Sequence, residues 1–322
     1  MELLPLWANF SLILAAALLL TLGAKTAVDS AAALARRLGI SELVVGLTVV
    51  AAGTSAPEFG VTVVAAFEGH NEISVGNIVG SNIFNLGFIL GGSALLGAIP
   101  TGRRLVLRDA SVLMGSSFLV FALVGLDLQL GHWDGWLLSS LLVGYLWLIW
   151  LQRRERPRPP LPRNKEAGLP SLPYREAGRL LLGLATVGMA SHILIGSATA
   201  VARVMGLSEW VIAVTIVAAG TSLPEMAATL AGIARNHHAV GLGNLIGSDI
   251  FNLLGVLGLA GVLEVMTLEP TARGSLLALV GMAFLTLVFL RSRWRLSRWE
   301  GLVLVAVGAM RWFLDVFPNT PG

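Results

Sequence analysis

Eleven residues at 48–58, TVVAAGTSAPE, return at 215–225 as TIVAAGTSLPE, and a second eleven at 76–86, GNIVGSNIFNL, return at 243–253 as GNLIGSDIFNL. Both pairs are displaced by 167 positions, and they agree without gaps at nine and at eight of eleven residues. The flanks Leu38-Gly39-Ile40-Ser41-Glu42 and Met205-Gly206-Leu207-Ser208-Glu209 keep the same displacement. Two ungapped matches at one displacement are an internal duplication, which governs fold before any local motif does. Whatever this chain folds into is built twice from the same parts.

Those parts are apolar. Of 322 residues 55% are hydrophobic and only 13% charged. Apolar windows lie near 8–34, 42–66, 73–98, 106–126, 135–151, 177–202, 209–234, 239–263, 273–290 and 299–317. A bilayer crossing needs about 20 such residues, and a helix satisfies its own backbone in lipid. The chain therefore reads as an all-α membrane protein with ten transmembrane helices, which excludes soluble enzymes and nucleic-acid binders. No cysteine is present, so thiol chemistry, disulfides and cysteine metal sites are excluded too. No Lys or Arg precedes Lys25 and the apolar pattern runs on past Ala35, so the first run reads as a crossing rather than a cleaved signal.

Between the fifth and sixth runs, 152–177 carries six of the 13 prolines and seven Lys/Arg, the composition of a solvated linker. The chain thus divides into a first five-helix repeat (1–151), a linker (152–177) and a second five-helix repeat (178–322). Five is odd, so the second copy enters the membrane from the opposite face. The expected architecture is two inverted repeats about an axis in the membrane plane, with a site at the midplane where they meet. Of the 22 Lys/Arg, 18 fall in alternate breaks beginning with the one after the first crossing. The positive-inside rule then puts the linker in the cytoplasm and both termini outside a plasma (inner) membrane.

Within the duplicated segments, Glu58 and Glu225 stand near the middle of otherwise uncharged runs. A carboxylate at that depth is costly and marks an ion or proton pathway by default. Pro57 and Pro224 interrupt the helix and free carbonyl oxygens, tolerable in a membrane only along a cavity or an ion. At helical spacing Ala51, Thr54 or Ser55, and Glu58 share one face, with copies Ala218, Thr221, Ser222 and Glu225. Asn77, Ser81 and Asn85 form a second stripe, repeated as Asn244, Ser248 and Asn252. All offer oxygen, as hard cations such as Ca²⁺ require, and the lack of Cys or His in these motifs argues against zinc or copper.

The paired GTSAPE/GTSLPE and GNIVGSNIFN/GNLIGSDIFN segments resemble the two alpha repeats of the sodium/calcium exchanger family, within the cation/calcium antiporter superfamily, here as a prokaryotic member. The resemblance spans essentially the full chain. It implies an antiporter that moves Ca²⁺ against Na⁺ by alternating access, with no cofactor beyond the transported ions and with lipid as its surroundings. By motif position it places ion ligands on Glu58, Glu225, Thr54, Ser55, Thr221, Ser222, Ser81, Ser248, Asn85 and Asn252, and on the backbone oxygens of Ala51 and Ala218. In some members of the family, including potassium-dependent ones, the position of Asn252 carries aspartate, so asparagine here argues against a potassium requirement. Asp249 departs from the family, whose second repeat usually carries asparagine there, as Asn82 does in the first. Asp249 and Asn82 are further candidates for the site, Asp249 as a third charge or a proton acceptor.

Blander readings stand beside these. Ser and Thr in membrane helices commonly bond between helices. Asn77 and Asn244 can stabilise helix starts as well as bind an ion. Lys25 and Asp29 are spaced as an i, i+4 pair, His192 reads as a packing histidine, and His70, His237 and His238 as solvated. Gly76/Gly80 and Gly243/Gly247 read as close helix contacts. Rival functions are a Ca²⁺/H⁺ exchanger of the same superfamily, a passive channel, and an intramembrane hydrolase using Ser55 or Ser222. The hydrolase lacks a histidine base in either motif. No nucleic-acid partner and no obligate protein partner are expected.

Overall fold

The computed structural model describes residues 5–38, 40–69, 71–152, 173–204, 218–268, 270 and 272–316. The chain is mostly helical. Helices α1 (Leu6–Leu38), α2 (Glu42–Thr54), α3 (Ala56–Phe67), α4 (Ile73–Leu96), α5 (Leu105–Asp127) and α6 (His132–Leu151) make up the first half. Helices α7 (Pro173–Val204), α8 (Ala218–Thr221), α9 (Leu223–Ala234), α10 (His238–Leu263), α11 (Ala272–Ser292) and α12 (Arg298–Val316) make up the second.

Among the described residues, six helices are long and apolar enough to cross a membrane, or seven when the bent pair α2/α3 is taken as one span. Of the ten runs in the sequence, those near 177–202 and 299–317 fall on α7 and α12, while the run near 209–234 is described only from Ala218 onward. Most of the linker, 153–172, lies outside the described residues.

Local chemistry sets several ends. Ser41 accepts the Val44 amide at 3.2 Å and caps the start of α2, the role short hydroxyl side chains fill at N-termini. Asp134, in the first turn of α6, accepts the Gly131 amide at 2.9 Å. Two short antiparallel bridges join loops of opposite halves: Ile99–Pro100 pairs with Arg295–Leu296, and Gln129–Leu130 with Met266–Thr267.

Packing exchanges elements between the halves. The most enclosed apolar helices are α4 and α10, with 72% and 78% of their apolar windows buried; these are the carriers of the GNIVGSNIFN and GNLIGSDIFN motifs. Helix α6 of the first half lies on α10 of the second, and α12 of the second lies on α4 of the first. The contact is backbone to backbone. A Cβ at Gly135 would lie 2.6 Å from the Gly258 carbonyl oxygen, and one at Gly301 would lie 2.6 Å from that of Gly91. One large apolar cluster fills this body.

Helices α1 and α7 pack chiefly against each other, and the clusters they contribute to are separate from the main one. They cross where Gly23 meets Gly183, and a Cβ at Gly183 would lie 2.9 Å from the Gly23 carbonyl oxygen and 2.7 Å from the Ala27 nitrogen. A two-helix layer therefore lies over a larger packed body.

Three side-chain readings are corrected. Asp29 pairs with Arg235 at the end of α9, Nη1 to Oδ2 2.5 Å, instead of with Lys25, because the neighbouring helix presents a guanidinium that the sequence spacing cannot reveal. His192 is exposed on α7 and not packed. His237 is partly buried, with Nδ1 3.2 Å from Glu42 Oε2, because the loop before α10 folds against the start of α2. Gly243 and Gly247 do sit at close contacts, 2.9 Å from the Leu43 oxygen and 2.7 Å from the Leu47 Cα for a Cβ built on each, whereas a Cβ at Gly76 would meet nothing within 4 Å, so that glycine makes no close helix contact.

Candidate cation site

The proline of each repeat breaks its helix, but the break falls two residues earlier. Ser55 (φ −77°, ψ 7°) and Ser222 (φ −82°, ψ 3°) leave helical geometry, and Pro57 and Pro224 enter the first turns of α3 and α9. In the first half the two pieces are bent by 48°. The restart places Glu58 and Glu225 in the first turn of a new helix. Exposed amide dipoles at a helix N-terminus favour a carboxylate by about 0.3–1 kcal/mol, and up to about 2 when partly buried. Neither glutamate has any exposed surface, so this helix-end field acts in place of a basic partner.

Because the helix breaks at Ser55, Thr54 and Ser55 serve different partners instead of lining one face with Glu58. Ser55 Oγ donates to Glu225 Oε1 at 3.1 Å, and Ser222 Oγ donates to Glu58 Oε1 at 3.3 Å. Thr54 Oγ1 lies 3.0 Å from Asn244 Oδ1 and 3.2 Å from Ser248 Oγ. In the other half Thr221 Oγ1 lies 3.4 Å from Asn77 Oδ1 and 3.5 Å from Ser81 Oγ. The Ala51 carbonyl lies 3.4 Å from Ser248 Oγ. Its counterpart Ala218 opens the short helix α8. Each contact pairs a residue of one half with a residue of the other, and the serine–glutamate, threonine–asparagine and threonine–serine contacts are each matched at the 167-residue displacement.

Asn77 and Asn244 neither start a helix nor offer a free oxygen. Asn77 Nδ2 reaches the Glu58 carbonyl at 3.4 Å and Thr62 Oγ1 at 3.1 Å, while its Oδ1 faces Thr221. Asn244 repeats this with Glu225 and Thr229, both at 3.4 Å. Thr62 and Thr229 were not singled out from sequence. Their signal was present, since both follow the glutamate by four residues and share the displacement of 167.

Below these, Asn85 Nδ2 donates to Asp249 Oδ1 at 2.9 Å, and Asn252 Nδ2 donates to Asn82 Oδ1 at 3.3 Å. Asn82 Nδ2 donates to the Asp249 carbonyl at 3.1 Å. Asn85 and Asn252 lie in π-helical stretches, Asn85–Gly91 and Phe251–Val256, widened turns that recur at functional sites.

Five buried oxygens of this assembly have no hydrogen-bond partner: Glu58 Oε2, Glu225 Oε2, Asn85 Oδ1, Asn252 Oδ1 and Asp249 Oδ2. Leaving a buried acceptor unmade costs about 1–3 kcal/mol each, so they suit a ligand that accepts electron pairs. Among the described residues no group of three or more His, Cys, Asp or Glu side chains comes together for a metal. The open oxygens thus belong to three carboxylates and two amides, a match for hard cations.

The family model described as sodium/calcium exchanger protein matches residues 8–151 and 176–308. This chain belongs to the sodium/calcium exchanger family. As a member of that family it is a membrane-embedded cation/calcium antiporter, and its family is one of transporters rather than of catalysts. It is 34% identical to the putative antiporter CaxA of Alkalimonas amylolytica, over 91% of this chain and 94% of that protein. It is 28% identical to the sodium/calcium exchanger MaX1 of Methanosarcina acetivorans, over 92% and 95%. Among solved structures, the sodium-calcium exchanger NCX_Mj soaked with 10 mM Na⁺ and 10 mM Sr²⁺ superimposes with a TM-score of 0.83 at 28% identity, covering 98% of this exchanger and all of that chain.

Proposed function

We propose that this antiporter exchanges Ca²⁺ for Na⁺ by alternating access at the site built from Glu58, Glu225, Thr54, Ser55, Thr221, Ser222, Ser81, Ser248, Asn85, Asn252 and the carbonyls of Ala51 and Ala218. The observation that carries this reading is the set of unpartnered buried oxygens on both glutamates and both asparagines, together with hydroxyls that tie each half to the other's glutamate. Two carboxylates supply the charge a single Ca²⁺ needs, and the ring of neutral oxygens supplies additional ligands for several Na⁺. An empty carboxylate pair buried in lipid is costly, so the site crosses loaded with one cargo or the other, and that requirement is what couples the two fluxes.

Ten crossings in two inverted five-helix repeats give such a site equivalent access from either face. In this arrangement both termini lie outside and the 152–177 linker lies in the cytoplasm. The separately packed α1/α7 layer is the element that rocks against the body carrying the site.

The test is uptake of ⁴⁵Ca²⁺ into proteoliposomes under an outward Na⁺ gradient and, separately, an outward H⁺ gradient, with Glu58→Gln and Glu225→Gln beside the native protein. Uptake driven by Na⁺ and lost in both variants is the expected result. Uptake driven only by H⁺ moves the chain to the proton-coupled branch of the superfamily.

A further inference from the structure

We propose that Asp249 and Asn82 are positioning residues that turn the amide oxygens of Asn85 and Asn252 toward the transported cation. The inference rests on the cation-site reading above and adds what orients two of its ligands. An asparagine amide has two unlike ends, an oxygen that accepts and an NH₂ that donates. Only the oxygen end binds a cation; the other end repels it. A buried asparagine is therefore a ligand only when something holds its NH₂ elsewhere.

Here two residues do that. Asn85 gives its NH₂ to Asp249 Oδ1 at 2.9 Å, and Asn252 gives its NH₂ to Asn82 Oδ1 at 3.3 Å. The oxygens at the opposite ends, Asn85 Oδ1 and Asn252 Oδ1, are left without partners, as is the second carboxylate oxygen of Asp249, Oδ2. All four side chains have no exposed surface. Asp249 and Asn82 occupy the same position of the two repeats, 167 residues apart, and they touch: Asn82 Nδ2 donates to the Asp249 carbonyl at 3.1 Å. That donation orients Asn82 itself, leaving its oxygen to receive Asn252. One residue thus governs both amides, Asn85 through its carboxylate and Asn252 through its backbone oxygen and Asn82. The two branches differ in strictness, because both ends of a carboxylate are oxygens while an amide acceptor can be turned over to present its NH₂.

Residues that orient metal ligands contribute about 10–100-fold to metal affinity. Asp249→Leu removes the acceptor for Asn85, and Asn82→Leu removes the one for Asn252. In Na⁺-driven ⁴⁵Ca²⁺ uptake by proteoliposomes, each is expected to raise the KM for Ca²⁺ by about 10–100-fold, with a much smaller change in maximal rate. Asp249→Asn keeps an acceptor of the kind Asn82 already provides, and is expected to raise KM only about threefold, well below the range for losing the acceptor. A KM raised as far by Asp249→Asn as by Asp249→Leu makes Asp249 a charged ligand and overturns the inference. So does a leucine variant with lowered thermal stability and a native KM, since that is a packing role. Should a leucine variant not fold, Asp249→Asn decides by comparison with Glu58→Gln: a threefold rise supports positioning, and a loss matching Glu58→Gln overturns it. If Glu58→Gln itself transports normally, the cation-site reading has failed; if it abolishes uptake while Asp249→Leu keeps a native KM, only the positioning role has.

Discussion

Ser55 and Glu225 stand 170 positions apart in the chain, yet the serine hydroxyl donates to the glutamate carboxylate across 3.1 Å. Ser222 and Glu58 repeat the contact at 3.3 Å. Each half's glutamate is thus held by the other half's broken turn. Ser55→Ala and Ser222→Ala are expected to raise the KM for Ca²⁺ to a similar degree, each about tenfold. Uptake kinetics in proteoliposomes measure this, and a tenfold effect at one serine with none at the other would contradict the paired role.

Binding is testable without transport. A ligand held only by the folded state stabilises it by about 2.7 kcal/mol at 100 times its dissociation constant. Ca²⁺ is therefore expected to raise the Tm of the detergent-solubilised native protein, followed by intrinsic tryptophan fluorescence. Glu58→Gln and Glu225→Gln are expected to abolish that rise and to cut uptake more than about 100-fold, beyond the range for residues that only orient ligands. A Ca²⁺-dependent rise that persists in either variant places the binding site elsewhere.

The Asp29–Arg235 ion pair joins α1 to the end of α9, with the two side chains 40% and 34% exposed. Pairs this open contribute about 1 kcal/mol or less, so Asp29→Asn should scarcely move the Tm. The pair parts if the α1/α7 layer moves, and 1 kcal/mol in a barrier is about fivefold in rate. Asp29→Asn is expected to raise the maximal exchange rate by up to that factor at an unchanged KM. Asp29→Arg combined with Arg235→Asp should return the native rate. A rate unaffected by either change would show that the pair does not resist the motion.

Tyr145 donates to the fully buried Asp109 at 3.0 Å, where Arg108 also bonds through Nε at 2.6 Å. Hydrogen bonds to charged groups contribute about 1.5–3 kcal/mol. Tyr145→Phe should therefore lower the Tm while leaving the KM for Ca²⁺ unchanged. A change in KM without loss of stability would assign this cluster to transport.

Apart from the run near 209–234, described only from Ala218 onward, long apolar runs mark the helices to within a few residues, because hydropathy over about 20 positions is a strong signal. The displacement of 167 then exposed Glu58, Glu225 and the asparagine stripe. Which residues bond to which was not legible. The helical-face argument assumed an unbroken helix through Ser55, and the turn at that residue sends Ser55 to Glu225 instead of to its own side. Asn77 and Asn244 read as helix-start or ligand residues because spacing shows neither the bonds of their NH₂ groups to the neighbouring helix of their own half nor those of their oxygens to the threonines of the other. Asp29 was matched to Lys25 for the same reason: its real partner lies 206 residues away. The Arg108, Asp109 and Tyr145 cluster carries no repeat at all, since its counterparts 167 residues on are Ser275, Leu276 and Trp312.

The exchange of helices between halves has a consequence for how the chain is made. Gly135 on α6 rests against Gly258 and Gly261 on α10, so the last helix of the first half has no complete seat until the second half exists. At synthesis rates of about 10 residues per second, roughly ten seconds separate the emergence of the two surfaces. During that interval the glycine face of α6 borders lipid or insertion machinery, and a ribosome stalled before α10 leaves a half-molecule with an unmet backbone groove. The two copies are therefore joined at birth as well as in the finished protein, and neither is a unit that biosynthesis can complete alone.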